Sequence, residues 1–283
     1  MTLSLPQGKR LAVNIGVDFD AHSVWMGLFD RTSPLYLSRG EFGAEVGVPR
    51  LLDLFGRYGV RATFFTPTHT MATFPDRFQA IVDAGHEIAA HGCYHEFVPT
   101  LDPQEERRLM EVTIGLHEKY VGRRPIGYRS PASDFTDETY RLLEEFAFIY
   151  DSSLMGRDFQ PYRPRPVTNI DREQGNTFGS PVSFLEFPVS WYLGDFPPTE
   201  YVPGANPGFT PIEPLLKQWM EQFDYAYANE PNGSVCLTVH PQCIGRAHHI
   251  VALERFIEYV SSHRDVWLAP LRDMAATWDD ALA

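Results

Sequence analysis

The sequence predicts an α/β fold: a distorted (β/α) barrel of seven or eight parallel strands. Three observations lead there. Short β-rich runs alternate with helical patterns along the chain, the pattern of a parallel sheet with crossover helices. Seven or eight such units favour a closed barrel over an open sheet, and 283 residues is an ordinary length for one. Chemistry-bearing residues also collect where the predicted strands end, the face on which barrels carry their sites.

Leu11–Asp18 (LAVNIGVD) reads as the first strand. Residues 45–59 place apolar side chains at 48, 51, 52, 54 and 55 and stop at Gly59, so they read as a helix. RATFFT, 61–66, is a strand; 74–84 is a helix ended by Gly85; Glu87–Ala90 is a strand. Asp102 caps a long helix over 103–120 with Pro103 at its first position. A strand at 126–129, a helix at 136–146 and a strand at 148–151 continue the alternation. After a strand at 183–189 come a helix at 211–229, a strand at 234–240, a helix at 246–262, a strand at 266–269 and a closing helix after Pro270.

Residues 152–210 break the rhythm. They hold nine prolines, many glycines and aromatic clusters such as Trp191-Tyr192 and Phe196. A segment this long is expected to be functional, and its aromatic content argues against disorder. Within a single domain over 1–283 it reads as a lid or wall over a site, as an oligomer contact, or equally as a plain structural excursion.

Composition narrows the function. Lys and Arg number 24 against 37 Asp and Glu, a net charge of −13, so neither nucleic acid nor an anionic membrane is an expected partner. Cys93, Cys236 and Cys243 form no C-x-x-C pair, which suits a reducing compartment. The start of the chain is too polar for a signal or membrane segment, and a cytoplasmic location is expected. There is no G-x-S-x-G, P-loop or G-x-G-x-x-G motif.

The predicted strand ends carry Asp18-Phe19-Asp20, His91 with His95 four residues on, Arg129-Ser130-Pro131, Asp151 and His240-Pro241. Two imidazoles and a carboxylate suit Zn²⁺, and also Co²⁺, Ni²⁺ or Mn²⁺. Asp18 and Asp20 project to one face, so one can ligate while the other acts as base. His22 and His69 are either pocket-lining or loop residues; His86, His117, His248, His249 and His263 read as structural, and Cys93 as a packing residue.

These residues resemble a known family. D-F-D (18–20), H-G-C-Y-H (91–95), R-S-P (129–131), Asp151 and V-H-P (239–241) look like the motifs of the NodB-homology polysaccharide deacetylases, carbohydrate esterase family 4. LSRGEFGAEVGVPRLL, DAGHEIAAHGCYHE and WYLGDFPP resemble a subgroup that includes the Helicobacter peptidoglycan deacetylase, cyclic imide hydrolases and metal-independent allantoinases. The resemblance implies a barrel often of seven strands, with Asp20, His91 and His95 as metal ligands. It implies Asp18 as general base held by Arg129, His240 as general acid, and Asp151 as a supporting acidic residue; a nearby carboxylate such as Asp151 is expected to keep His240 protonated. Phe19 between the aspartates follows the subgroup; Gly92 stands where the wider family has Ser or Thr.

The expected activity is metal-dependent hydrolysis of a non-peptide C–N bond, with a small cyclic imide or amide as substrate. The alternatives are a peptidoglycan or polysaccharide N-acetylglucosamine deacetylase, and a non-catalytic binding module of the same fold. Relatives in the subgroup imply a homotetramer.

Overall fold

The computed structural model describes residues 3–278. Eight parallel strands form one sheet: β1 (Leu11–Asp18), β2 (Thr63–Thr66), β3 (Glu87–Ala90), β4 (Gly127–Tyr128), β5 (Tyr150–Asp151), β6 (Leu185–Glu186), β7 (Ser234–Val239) and β8 (Val266–Leu268). Every residue of β1 is buried, as expected of a strand covered on both faces. Asn14, the polar residue in its middle, is accommodated because its amide donates to the Thr63 hydroxyl and the Ala269 carbonyl.

The wall runs β7-β1-β2-β3-β4-β5-β6. One edge of β1 is taken by β7 over Ala12–Val17. The other is shared, with β8 beside Leu11–Val13 and β2 beside Gly16–Asp18. Seven strands therefore build the wall, and β8 is tucked under β2. No ladder joins β6 to β7 among the described residues. The chain after β6 crosses this gap and touches β7 through a Gly194–Thr238 bridge, with Asp195 N–H donating to the Thr238 carbonyl. The barrel is thus distorted by one unpaired seam, and chain from the Pro-rich segment fills it.

The predicted helices form close to their expected bounds, including Pro103–Val121, where Asp102 accepts from the Glu105 N–H. Trp219 and Phe223 on Ile212–Asn229 meet Phe256 on Ala247–Ser261 and close the core outside β1 and β7. The helix expected at 45–59 is longer at its start. A helix Pro34–Phe42 runs through a π turn, Gly43–Gly47, into Val48–Tyr58. Three glycines between 40 and 47 hide that helix from a propensity reading. Residues 152–210 also hold a small antiparallel hairpin, Val167–Asn169 with Thr177–Phe178.

Candidate active site

The carboxyl ends of β1, β3, β4 and β7 converge on one mouth. Beyond β1, Phe19 N–H donates to the Phe65 carbonyl, so the strand keeps its alternation for one further step. Asp18 and Asp20 consequently face the same side. Both approach Nε2 of His91, Asp20 at 3.4 Å and Asp18 at 3.9 Å.

His91 comes directly after β3, and His95 closes a tight loop. Gly92 has φ +69° and His95 φ +62°, both left-handed. Glu96 holds this loop from beneath, its buried carboxylate accepting from the N–H groups of Cys93 and Tyr94 at 2.8–3.0 Å. A Cβ at residue 92 would lie 2.8 Å from Glu96 Oε1, so glycine is demanded twice, by conformation and by space.

His91 Nδ1 donates to the Arg129 carbonyl at 2.8 Å, which leaves a lone pair on Nε2 pointing at Asp20. His95 Nε2 lies 3.9 Å from the same Asp20 oxygen. Burial drives the His95 pKa down to about 4, so its imidazole is neutral and its lone pair available. Asp20 is fully buried, yet neither carboxylate oxygen has a hydrogen-bond donor. Burial opposes its charge, but His95, His91 and His240 together lower its pKa to about 2. An ionised carboxylate without donors, facing two imidazole nitrogens, calls for positive charge at the centre. The ligand atoms of Asp20, His91 and His95 lie within 4.8 Å of one another, which suits one metal ion. Burial opposes a proton on His91, yet Asp20 and Asp18 raise its pKa; proton and cation compete for one lone pair.

Arg129 and His240 flank this centre. Arg129 is 1% exposed, stacks 3.9 Å over the Phe65 ring and donates from Nη1 to Asp18 Oδ1 at 2.6 Å. Its other donors go to the Ser152 carbonyl and hydroxyl, which pins the guanidinium in place. His240 Nε2 is 3.7 Å from Asp18 and 3.9 Å from Asp20. Its Nδ1 donates to Asp195 Oδ1 at 2.7 Å. Burial pulls the imidazolium down, but Asp195, then Asp18 and Asp20, outweigh it and raise the pKa to about 9.

That geometry corrects the expectation for Asp151. The carboxylate bonded to His240 is Asp195, which lies inside the stretch WYLGDFPP but was given no role there. Asp151 accepts from the Ser153 hydroxyl and N–H, and its register neighbour across the ladder is Glu186. Burial raises the pKa of both, and for Glu186 the adjacent Asp151 charge raises it further. Glu96 and Ser152 were also missed. Glu96 stood in view beside the histidines, but only the folded loop reveals its amide contacts.

Above the centre lies a cavity of about 260 Å³. Asp18, Asp20, His91, His95 and His240 form its floor, with Val24, Leu28, Phe29, Trp191, Phe196 and Pro197 in its walls. Ala132 and Ser133, consecutive left-handed residues at φ +57°, complete one side. Within 152–210, the wall is built from 189–206, and the hairpin takes no part. His22 and His69 lie outside the lining; His69 instead contacts Ser23 and Thr73. His86 sits at the opposite end of β3, accepting from the Ala62 N–H, and His117 donates to the Arg123 carbonyl.

A model of the polysaccharide deacetylase family matches residues 18–150, the span from Asp18 to the start of β5. The chain is 34% identical to the peptidoglycan deacetylase of Helicobacter pylori over 280 residues, covering 94% of this chain and 96% of that one. A solved structure from Mycobacterium smegmatis, classed with the polysaccharide deacetylases, superposes with a TM-score of 0.82 at 34% identity, over 97% of this chain and 92% of that one. PuuE allantoinase superposes at 0.80 with 25% identity, over 98% and 93%. Similarity of this extent to the Helicobacter enzyme places this chain in the polysaccharide deacetylase family.

Proposed function

We propose that this protein is a divalent-cation-dependent amidohydrolase that opens the C–N bond of a small cyclic imide or amide. The family hydrolyses amide bonds, and the names of its similar proteins point to two substrate classes, peptidoglycan and allantoin. The observation that carries the choice is the cavity. About 260 Å³, open on one side to solvent and lined by Phe29, Phe196, Pro197 and Trp191, matches a compact planar ring in size and in apolar lining.

Asp20, His91 and His95 hold the cation, Zn²⁺ being best matched by two imidazoles and one carboxylate. Bound there, it supplies Lewis acidity and lowers the pKa of water from 15.7 toward ~7. Asp18, fixed by Arg129, accepts the proton of the attacking water. Ala132, the left-handed second residue of the short turn Pro131–Ser133, lines the cavity, and its N–H serves the developing oxyanion. His240, kept as imidazolium by Asp195, delivers a proton to the departing nitrogen.

The test is a substrate screen on protein of measured Zn²⁺ content, with Asp18→Asn as the inactive control. Ring opening of succinimide or hydantoin is expected to exceed acetate release from N-acetylated chitooligosaccharide by at least tenfold in kcat/KM. The reverse order favours the peptidoglycan-type reading, which the Helicobacter relative supports, and removes the small-ring assignment.

A further inference from the structure

The stretch LSRGEFGAEVG takes no part in the chemistry above, yet it lies between two catalytic segments. Gly40, Gly43 and Gly47 share one face of the continuous helix that runs from Pro34 through the π turn. A Cβ on Gly40 would sit under 3.0 Å from the carbonyl of Ala21, the residue after Asp20. A Cβ on Gly47 would sit under 3.0 Å from the carbonyl of Pro241, the residue after His240. Gly43 is more relaxed: its Cβ would stand 3.2 Å from Gln242 N and 3.3 Å from Gln242 Oε1. Gln242 is 1% exposed, and both of its amide atoms lack a hydrogen-bond partner. Its side chain therefore does not tie the two backbones together, and their spacing is set by shape. The π turn adds a residue to the helix just where it passes Pro241, and such turns recur at functional sites.

We propose that Gly40 and Gly47 are positioning residues, through which one helix sets the spacing between Asp20 and His240. Gly40 lets the backbone of Ala21 seat against the helix and so places Asp20. Gly47 does the same for Pro241 and so places His240. The two glycines act on different partners, and their alanine variants are expected to fail in different ways.

Gly56→Ala and Gly115→Ala serve as controls, because both glycines are helical and a Cβ there meets nothing within 4 Å. Zn²⁺ affinity of chelator-stripped protein is measured by titration with the metal alone. Turnover is measured on succinimide and on 4-nitrophenyl acetate, whose leaving group needs no protonation. Gly40→Ala is expected to weaken Zn²⁺ binding at least tenfold. Gly47→Ala is expected to keep Zn²⁺ affinity within threefold and to lower kcat roughly 10- to 100-fold with little change in KM, the scale of a displacement near 1 Å. Its ratio of activities on the two substrates should match that of His240→Ala.

The His240 arm rests on the acid role assigned above, and the two ideas fail separately. If His240→Ala harms both substrates alike, the acid role falls. If Gly47→Ala and His240→Ala differ in profile, the positioning role of Gly47 falls whatever the profile is. Loss of Zn²⁺ affinity and turnover in common proportion in both glycine variants, or behaviour like Gly56→Ala, overturns the proposal. Should Gly47→Ala not fold, Gly43→Ala carries the same comparison, with a smaller effect in the same direction.

Discussion

His240 shows how much one neighbour decides. Burial alone would strip its proton, yet the Asp195 carboxylate 2.7 Å from Nδ1 raises the pKa to about 9. A raised pKa keeps the imidazolium through neutral pH and loses it as pH rises. In Asp195→Asn the amide keeps a hydrogen bond but removes the charge. The alkaline limb of kcat/KM against pH should then move down by about one unit or more. An unmoved limb would mean that Asp195 does not govern the proton. His240 was legible because V-H-P ends a strong β pattern, and position and residue type coincide. Asp195 stood in view within WYLGDFPP, but its role was not legible, because its partner lies 45 residues away and a contact across that distance leaves no local mark. Asp151 attracted the role by ending a predicted strand, but a strand end does not say which neighbour a side chain meets.

At the scale of elements, β5 and β6 are two residues each, and their register sets Asp151 beside Glu186. Two carboxylates side by side and fully buried repel unless they share a proton. Glu186 accepts from the N–H groups of Ser153 and Leu154 through Oε1, and an amide oxygen fills that place equally well. Its folded pKa lies well above 4.5, so folding takes up a proton. The linked stability is present at low pH and is lost as pH rises above the unfolded value. Glu186→Gln should therefore fold, be more stable than the parent at pH 8, and show a flatter dependence of Tm between pH 5 and 8. Thermal unfolding at the two pH values checks this; an unchanged slope would remove the shared proton. No reading of local pattern finds this pair, since register between strands 35 residues apart leaves no trace in either one.

For the molecule as a whole, the centre joins the end of β1 to the loop after β3. A cation bound to Asp20, His91 and His95 therefore clamps two elements that contribute to the same wall. Zn²⁺ at 100 times its Kd should stabilise the fold by roughly 2.7 kcal/mol. Chelation should lower Tm, and added Zn²⁺ should restore it; in His95→Ala the addition should do little. A Tm that ignores Zn²⁺ would show that the three side chains do not bind it. The unpaired seam between β6 and β7 also belongs to this scale. It lets the chain after β6 enter the mouth, bring Asp195 to His240 and set Trp191 and Phe196 over the cavity.

The alternation of strands and helices, the buried character of β1 and the residue types at the strand ends are all written in the local sequence. Those signals are short-ranged: they lie in periodicity and in the residues just past each apolar run. Spacing by two and by four put Asp18 with Asp20 and His91 with His95. The folded chain was needed to settle which carboxylate serves His240, which two carboxylates lie buried side by side, where the barrel stays unpaired, and why Gly40 and Gly47 have no side chain. Each of these depends on the register and close packing of segments distant in sequence, and such contacts have no local signature.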